Sequence, residues 1–153
     1  MAKGLPWAAM LVIAMAQPLD GADLEWRPTV TGGYSKIYDP HGSFGAALRV
    51  HLAGFFFAQA EYLVLFTDDH TDYGPTVLVG LAGRNDESIR PYIGLGGGPV
   101  KGVSGDDGLA YVALGASYPV ARRQRVFVQG EFRYGSLGET TYYQVTLGLG
   151  LSR

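Results

Sequence analysis

The chain contains no cysteine, which excludes disulfides and thiolate-bound metal but fixes no compartment. Charge is scarce too: 17% of the 153 residues are charged, and the net charge is −2. So small a balance offers no general attraction to nucleic acid, which is therefore not an expected partner. No apolar run reaches the roughly 20 residues that an α-helix needs to cross a bilayer. Past the first 16 residues, no stretch keeps a helical period over a useful length. What the chain has instead is 23 Gly, 10 Tyr and 7 Phe. That composition favours strands and turns, and the length suits one domain.

The N-terminal residues read separately. Lys3 precedes an apolar run over 5–16, and Ala14-Met15-Ala16 supplies the small residues that a signal peptidase needs. The expectation is a secretory signal and polar lead-in over 1–22, cut after Ala16 or Ala22, with the folded domain over 26–153. A buried N-terminal helix is the competing reading.

From Trp26 onward, apolar and polar residues alternate and turn signals recur at steady spacing. The alternation predicts eight strands: 27–37, 43–52, 55–67, 73–83, 90–103, 109–120, and a closing hairpin from Val126 to the C-terminus. In that hairpin Val126, Val128, Phe132 and Tyr134 share one face, and Gln129, Glu131 and Arg133 the other. Its second arm sets Tyr143, Val145, Leu147, Leu149 and Leu151 against Gln144, Thr146, Gly148 and Gly150. Residues 43–52 set Phe44, Leu48 and Val50 against Gly45, Arg49 and His51; residues 55–67 set Phe56, Tyr62 and Phe66 against Gln59 and Glu61. Every connection is hairpin-short, so neighbours should be antiparallel. The reading is an all-β, eight-stranded antiparallel up-and-down transmembrane β-barrel with short loops.

A soluble calyx of the lipocalin kind is the alternative, with the bulky apolar face turned inward around a ligand. Its outer face would then be the polar one and should carry charge on most strands. Here that face holds few charges and many glycines, which suits a narrow lumen better than a wetted surface. Trp26, Tyr34, Phe44, Tyr62, Phe66, Tyr73, Tyr118, Tyr134 and Tyr143 fall mostly near strand ends on the apolar face, where interfacial girdles sit. Lipid outside is the consistent arrangement.

Two segments carry a family resemblance. EFRYGSL followed by TTYYQVTLGLGL, and RPYIGLGGG over 90–98, resemble the small outer-membrane barrel domains of the OmpA/OmpX and opacity-protein type. The resemblance implies a porin-like architecture in the Gram-negative cell envelope, reached by export through the periplasm. It also implies contact with outer-membrane lipid, lipopolysaccharide and the barrel-assembly machinery, as a monomer. With the N-terminus periplasmic, the turns at 39–42, 68–72, 104–108 and 136–140 face outward, and those at 53–54, 84–89 and 121–125 face the periplasm.

Candidate sites are few. Arg49, Glu61, Glu131 and Arg133 share the lumen face by parity, and unpaired buried charge is costly, so one interior charge network is expected. His51, Gln59, Gln129 and Gln144 are its expected polar neighbours. The glycines at 94, 96, 148 and 150 leave room for the two arginines to reach across, and the network should block water flow. No metal site, cofactor or catalytic set is expected. His70 lies among Asp68, Asp69 and Asp72, but the spacing matches no defined cation loop. A lipid A deacylase uses a barrel of this size with a His-x-Ser pair on a late strand; here Ser136 follows Tyr134-Gly135 and has no histidine to activate it. Gly94 to Gly98 lacks the Lys-Ser/Thr and helix of a phosphate loop. The basic run Arg122-Arg123-Gln124-Arg125 could meet anionic headgroups or stand as a solvated turn.

Overall fold

The computed structural model describes residues 25–36, 40–52, 55–66, 70–83, 89–102, 105–121 and 125–151. The signal-like segment and Arg122-Arg123-Gln124 lie outside the described residues. Eight strands follow in chain order: β1 (Glu25–Lys36), β2 (Pro40–Leu52), β3 (Phe56–Phe66), β4 (Thr71–Ala82), β5 (Arg90–Gly102), β6 (Gly105–Ala121), β7 (Val126–Leu137) and β8 (Thr140–Leu151). Each pairs antiparallel with the next. β1 also pairs with β8, from Thr29↔Gly150 to Lys36↔Tyr143, so the sheet is a closed barrel with no free edge.

The alternation in the sequence becomes inside and outside. Val30, Phe44, Tyr62, Val77, Leu95, Leu114, Phe132 and Leu147 are exposed around the wall. Arg49, Glu61, Thr76, Gln129, Glu131, Arg133, Gln144 and Thr146 are buried in the lumen. Of the expected girdle aromatics, Tyr34, Phe44, Tyr62, Phe66, Tyr73, Tyr118 and Tyr134 are exposed. Tyr62 and Tyr73 stack with ring centroids 6.3 Å apart.

Most strand ends differ from the sequence reading by one or two residues, and three differences are informative. β2 starts at Pro40, because His41 and Gly42 continue the ladder opposite Ser35 and Tyr34. β6 starts at Gly105 rather than 109: the Gly-Asp-Asp-Gly stretch pairs with β5, and Lys101 sits opposite Asp106. An opposite-charge cross-strand pair supports a ladder that turn-prone residues would otherwise end. The last hairpin is also tighter than expected, since Leu137 pairs with Thr140 and only Gly138 and Glu139 remain between them. Gly138 has φ +57 there, a conformation that a two-residue hairpin turn demands and glycine adopts without strain.

Candidate functional site

On β3 the inward residues run Phe57, Gln59, Glu61, Leu63, Leu65, and all five are buried. On β7 they run Phe127, Gln129, Glu131, Arg133, then Leu137 past Gly135, again buried at every named position. Both strands therefore place polar and charged groups in the middle of the lumen and apolar groups at either end.

The middle layer joins four charges from three strands. Arg133 lies between the two carboxylates, its Nη2 donating to Glu61 Oε2 at 2.6 Å and its Nε to Glu131 Oε1 at 2.5 Å. Arg49 Nη2 is 3.5 Å from Glu131 Oε2, and Arg49 Nε donates to Gln59 Oε1 at 2.9 Å. Tyr92 OH donates to Glu131 Oε2 at 2.5 Å. Two cations and two anions thus neutralise one another out of water, which is the condition under which buried charge is tolerable. Rings complete the cradle. The Arg49 guanidinium sits 4.0 Å from the Tyr92 centroid and 4.3 Å from that of Phe57, and Arg133 sits 4.8 Å from that of Tyr111.

Of the other expected lumen groups, Gln144 Nε2 donates to Ser43 Oγ at 2.8 Å, and its Oε1 accepts from Tyr142 OH at 2.6 Å. His51 is buried, its ring 5.9 Å from that of Phe57. Gln129 is buried in register with Ser117 and Gly148. Among the described residues, Gln59 Nε2, Glu61 Oε1 and Thr146 Oγ1 have no protein hydrogen-bond partner. The layer thus keeps capacity for bound water.

The lumen glycines do something other than clear a path for arginine. Tyr92 pairs with Gly115, Tyr111 with Gly96 and Phe127 with Gly150 in direct cross-strand register. A side chain at any of these glycines would run into the partner's ring. At these pairs small faces large across the ladder, and at Gly96 and Gly150 an aromatic ring takes the space expected for reaching arginines. Other lumen glycines meet no ring: a Cβ at Gly94 would meet Leu78, one at Gly148 would meet Thr31 and Thr29, and one at Gly45 would meet the Glu61 carboxylate and the Thr31 hydroxyl. Tyr92, Tyr111, Tyr142, Phe57 and Phe127 are the site residues that the sequence reading passed over. Their signal was parity: Phe57, Phe127 and Tyr142 stand two residues from Gln59, Gln129 and Gln144, and Tyr92 two from Gly94, whereas the sequence reading assigns no residue on the strand of Tyr111 to the lumen.

Outside the network, His70 Nε2 lies 3.2 Å from Asp72 Oδ1. No set of three or more metal-ligating side chains converges among the described residues. Ser136 stands in register between Ala110 and Thr141.

No protein-family model matches the chain, and no curated protein matches it in sequence. Solved structures do match. A de novo designed transmembrane β-barrel superposes with a TM-score of 0.66 at 15% identity, covering 84% of this chain and 95% of that one. Neisserial surface protein A gives 0.57 at 14% identity over 86% of this chain and 98% of its own. The outer membrane enzyme PagL gives 0.51 at 13% identity over 82% and 98%. A design, a surface protein and an enzyme share the architecture, so the likeness speaks for fold and leaves activity to the site. The chain has the fold of the small eight-stranded outer-membrane β-barrels.

Proposed function

We propose that this chain is an exported bacterial outer-membrane protein whose barrel is a closed, monomeric, non-catalytic body with a structural or membrane-interaction role. In this reading the barrel-assembly machinery delivers it, and its wall meets lipid and lipopolysaccharide. The observation that carries the reading is inverted polarity. Leu147 is 74% exposed and Leu95 65%, while Arg133 is 1% exposed. In water, an apolar surface that encircles the molecule far exceeds the patches that soluble monomers carry. In hydrocarbon it is the expected exterior, and a closed ladder presents no open sheet edge to lipid. The lumen charges neutralise one another and are ringed by aromatics, which suits a plug better than a permeation path. Unboiled protein should run faster than boiled protein on a denaturing gel and require detergent or lipid to remain in solution. A mature chain that is monomeric in detergent-free buffer would end the membrane reading.

The enzyme alternative is set by chemistry at Ser136. Neither register neighbour, Ala110 or Thr141, is a base that would activate the hydroxyl. Overproduction should therefore leave the lipid A mass spectrum unchanged; a new acylation pattern would reverse that assignment.

A further inference from the structure

Proline is rare in the interior of a sheet, because it has no N–H to give the ladder. Pro75 of β4 and Pro99 of β5 nevertheless stand inside their strands, both exposed on the outer wall. The β4–β5 pairing keeps one frame from Tyr73↔Lys101 to Val77↔Gly97, but it lapses across residues 74–76 and 98–100 between them. That frame sets the two prolines opposite one another. The ladders on either side run through them unbroken, with Tyr62↔Pro75 in β3–β4 and Pro99↔Gly108 in β5–β6.

Alternation explains why one seam takes the whole loss. Ala82 N–H donates to Phe55 O beside β3, and Gly83 N–H to Pro91 O of β5, each at 2.7 Å. Successive residues of an antiparallel strand bond to opposite neighbours, so the odd-numbered residues of β4 bond to β5. Pro75 and Pro99 therefore occupy a hydrogen-bonded pair in which neither nitrogen carries a hydrogen. Two ladder bonds are missing at one point. The two carbonyls stand instead where side chains would begin, Pro99 O against Gly74 and Pro75 O against Gly98. Both glycines fall on the lumen face, so neither backs the seam with a side chain. Outward of the lapse, the β4–β5 ladder keeps only Tyr73↔Lys101.

We propose that the β4–β5 seam is a lateral hinge, at which the outward ends of these two strands part while the rest of the barrel stays closed. In the membrane reading above, the parting opens the outward mouth sideways to the outer leaflet. The hinge itself is a property of the ladder and does not depend on that reading.

The test is amide hydrogen exchange of the folded full chain in detergent micelles, read residue by residue by NMR. Phe44 and Val64 supply the internal standard, since by the same alternation they form a hydrogen-bonded pair nearer the mouth in the unbroken β2–β3 ladder. In the parent, the protection factors of Val77 and Gly97 should lie about tenfold or more below those of Phe44 and Val64, because each missing bond is worth about fivefold. Pro99→Val returns one donor on an outward-facing position and should raise the protection of Val77 and Gly97 about fivefold. The chain has no cysteine, so Tyr73→Cys with Lys101→Cys introduces a single staple across a register pair whose α-carbons stand about 5.5 Å apart. Oxidising that staple should raise the protection of Val77 and Gly97 about tenfold, and reduction should reverse the gain. The staple carries the test should Pro99→Val not fold. Equal protection of the two pairs in the parent would overturn the proposal, as would a staple whose oxidation leaves Val77 and Gly97 unchanged. A chain that folds as a monomer without detergent would remove the leaflet and the membrane reading, while the same exchange contrast, measured in water, would still decide the hinge.

Discussion

The middle of the lumen and its two ends do opposite physical work with neighbouring residues of the same strands. On β3, Glu61 holds Arg133 through a 2.6 Å charged hydrogen bond, while Leu63, two positions on, is fully buried among apolar side chains. The charged layer gains specificity of partner and position. Its net contribution to stability is modest, because pairing largely offsets desolvation. The apolar ends gain from excluding water and ask for volume rather than geometry. The layers should therefore fail differently. Breaking a charge pair strands its partner, whereas truncating a leucine leaves a void.

The sharpest way to expose that difference is Arg133→Ala. It leaves Glu61 and Glu131 buried without their shared cation, and the expected loss is about 3–5 kcal/mol in urea unfolding from lipid vesicles. Leu63→Ala, one layer away, should cost about 2–4 kcal/mol through lost burial and the cavity left behind. If the leucine proves the more costly of the two, the charged layer is better hydrated than its burial implies, and the contrast collapses. Tyr92→Phe then sharpens the boundary, because its ring packs edge-on against Phe57 at 5.6 Å while its hydroxyl serves Glu131. Keeping the ring and deleting the hydroxyl should cost about 2 kcal/mol, the worth of a hydrogen bond to a charged acceptor. A loss near zero would place Tyr92 wholly with the apolar end.

Much of this was legible in the chain. Period-two alternation set the strand number, the antiparallel order and which residues face inward, and parity put Arg49, Glu61, Glu131 and Arg133 on one side of the wall. The strand ends were not legible to the residue. Gly105 to Gly108 reads as a turn until Asp106 is seen opposite Lys101, a pairing that only the β5–β6 register creates. The partners within the lumen were hidden for a related reason. Arg49 meeting Gln59 follows from adjacent strands, whereas Arg133 meeting Glu61 depends on the curvature that brings β7 across to β3. The aromatic filling was masked by chemistry. Stretches such as Phe55-Phe56-Phe57 are apolar on both faces, so alternation weakens at the places where the ends of the lumen are sealed.

Those sealed ends change what the barrel should do electrically, and here the expected effect is the smallest. From sequence, the charge network is the only barrier to water, and Arg133→Ala should raise conductance. The structure adds buried Leu63, Leu65, Val100, Leu109 and Leu137 toward one end and Phe57, Tyr92 and Phe127 toward the other, with Ser43 and Asp72 level with Leu65 and His51 level with Phe57. A narrow lumen filled at both ends by packed rings and aliphatic chains leaves ions no continuous path, whatever lies between its two constrictions. Planar-bilayer recordings of Arg133→Ala should thus show no steady step above the parent, despite its large loss of stability. A combined Arg133→Ala and Leu63→Ala variant should be the first to show brief openings, since it widens one constriction as well as emptying the middle. A stable open level in Arg133→Ala alone would return the barrier to the charges and leave the apolar ends a packing role only.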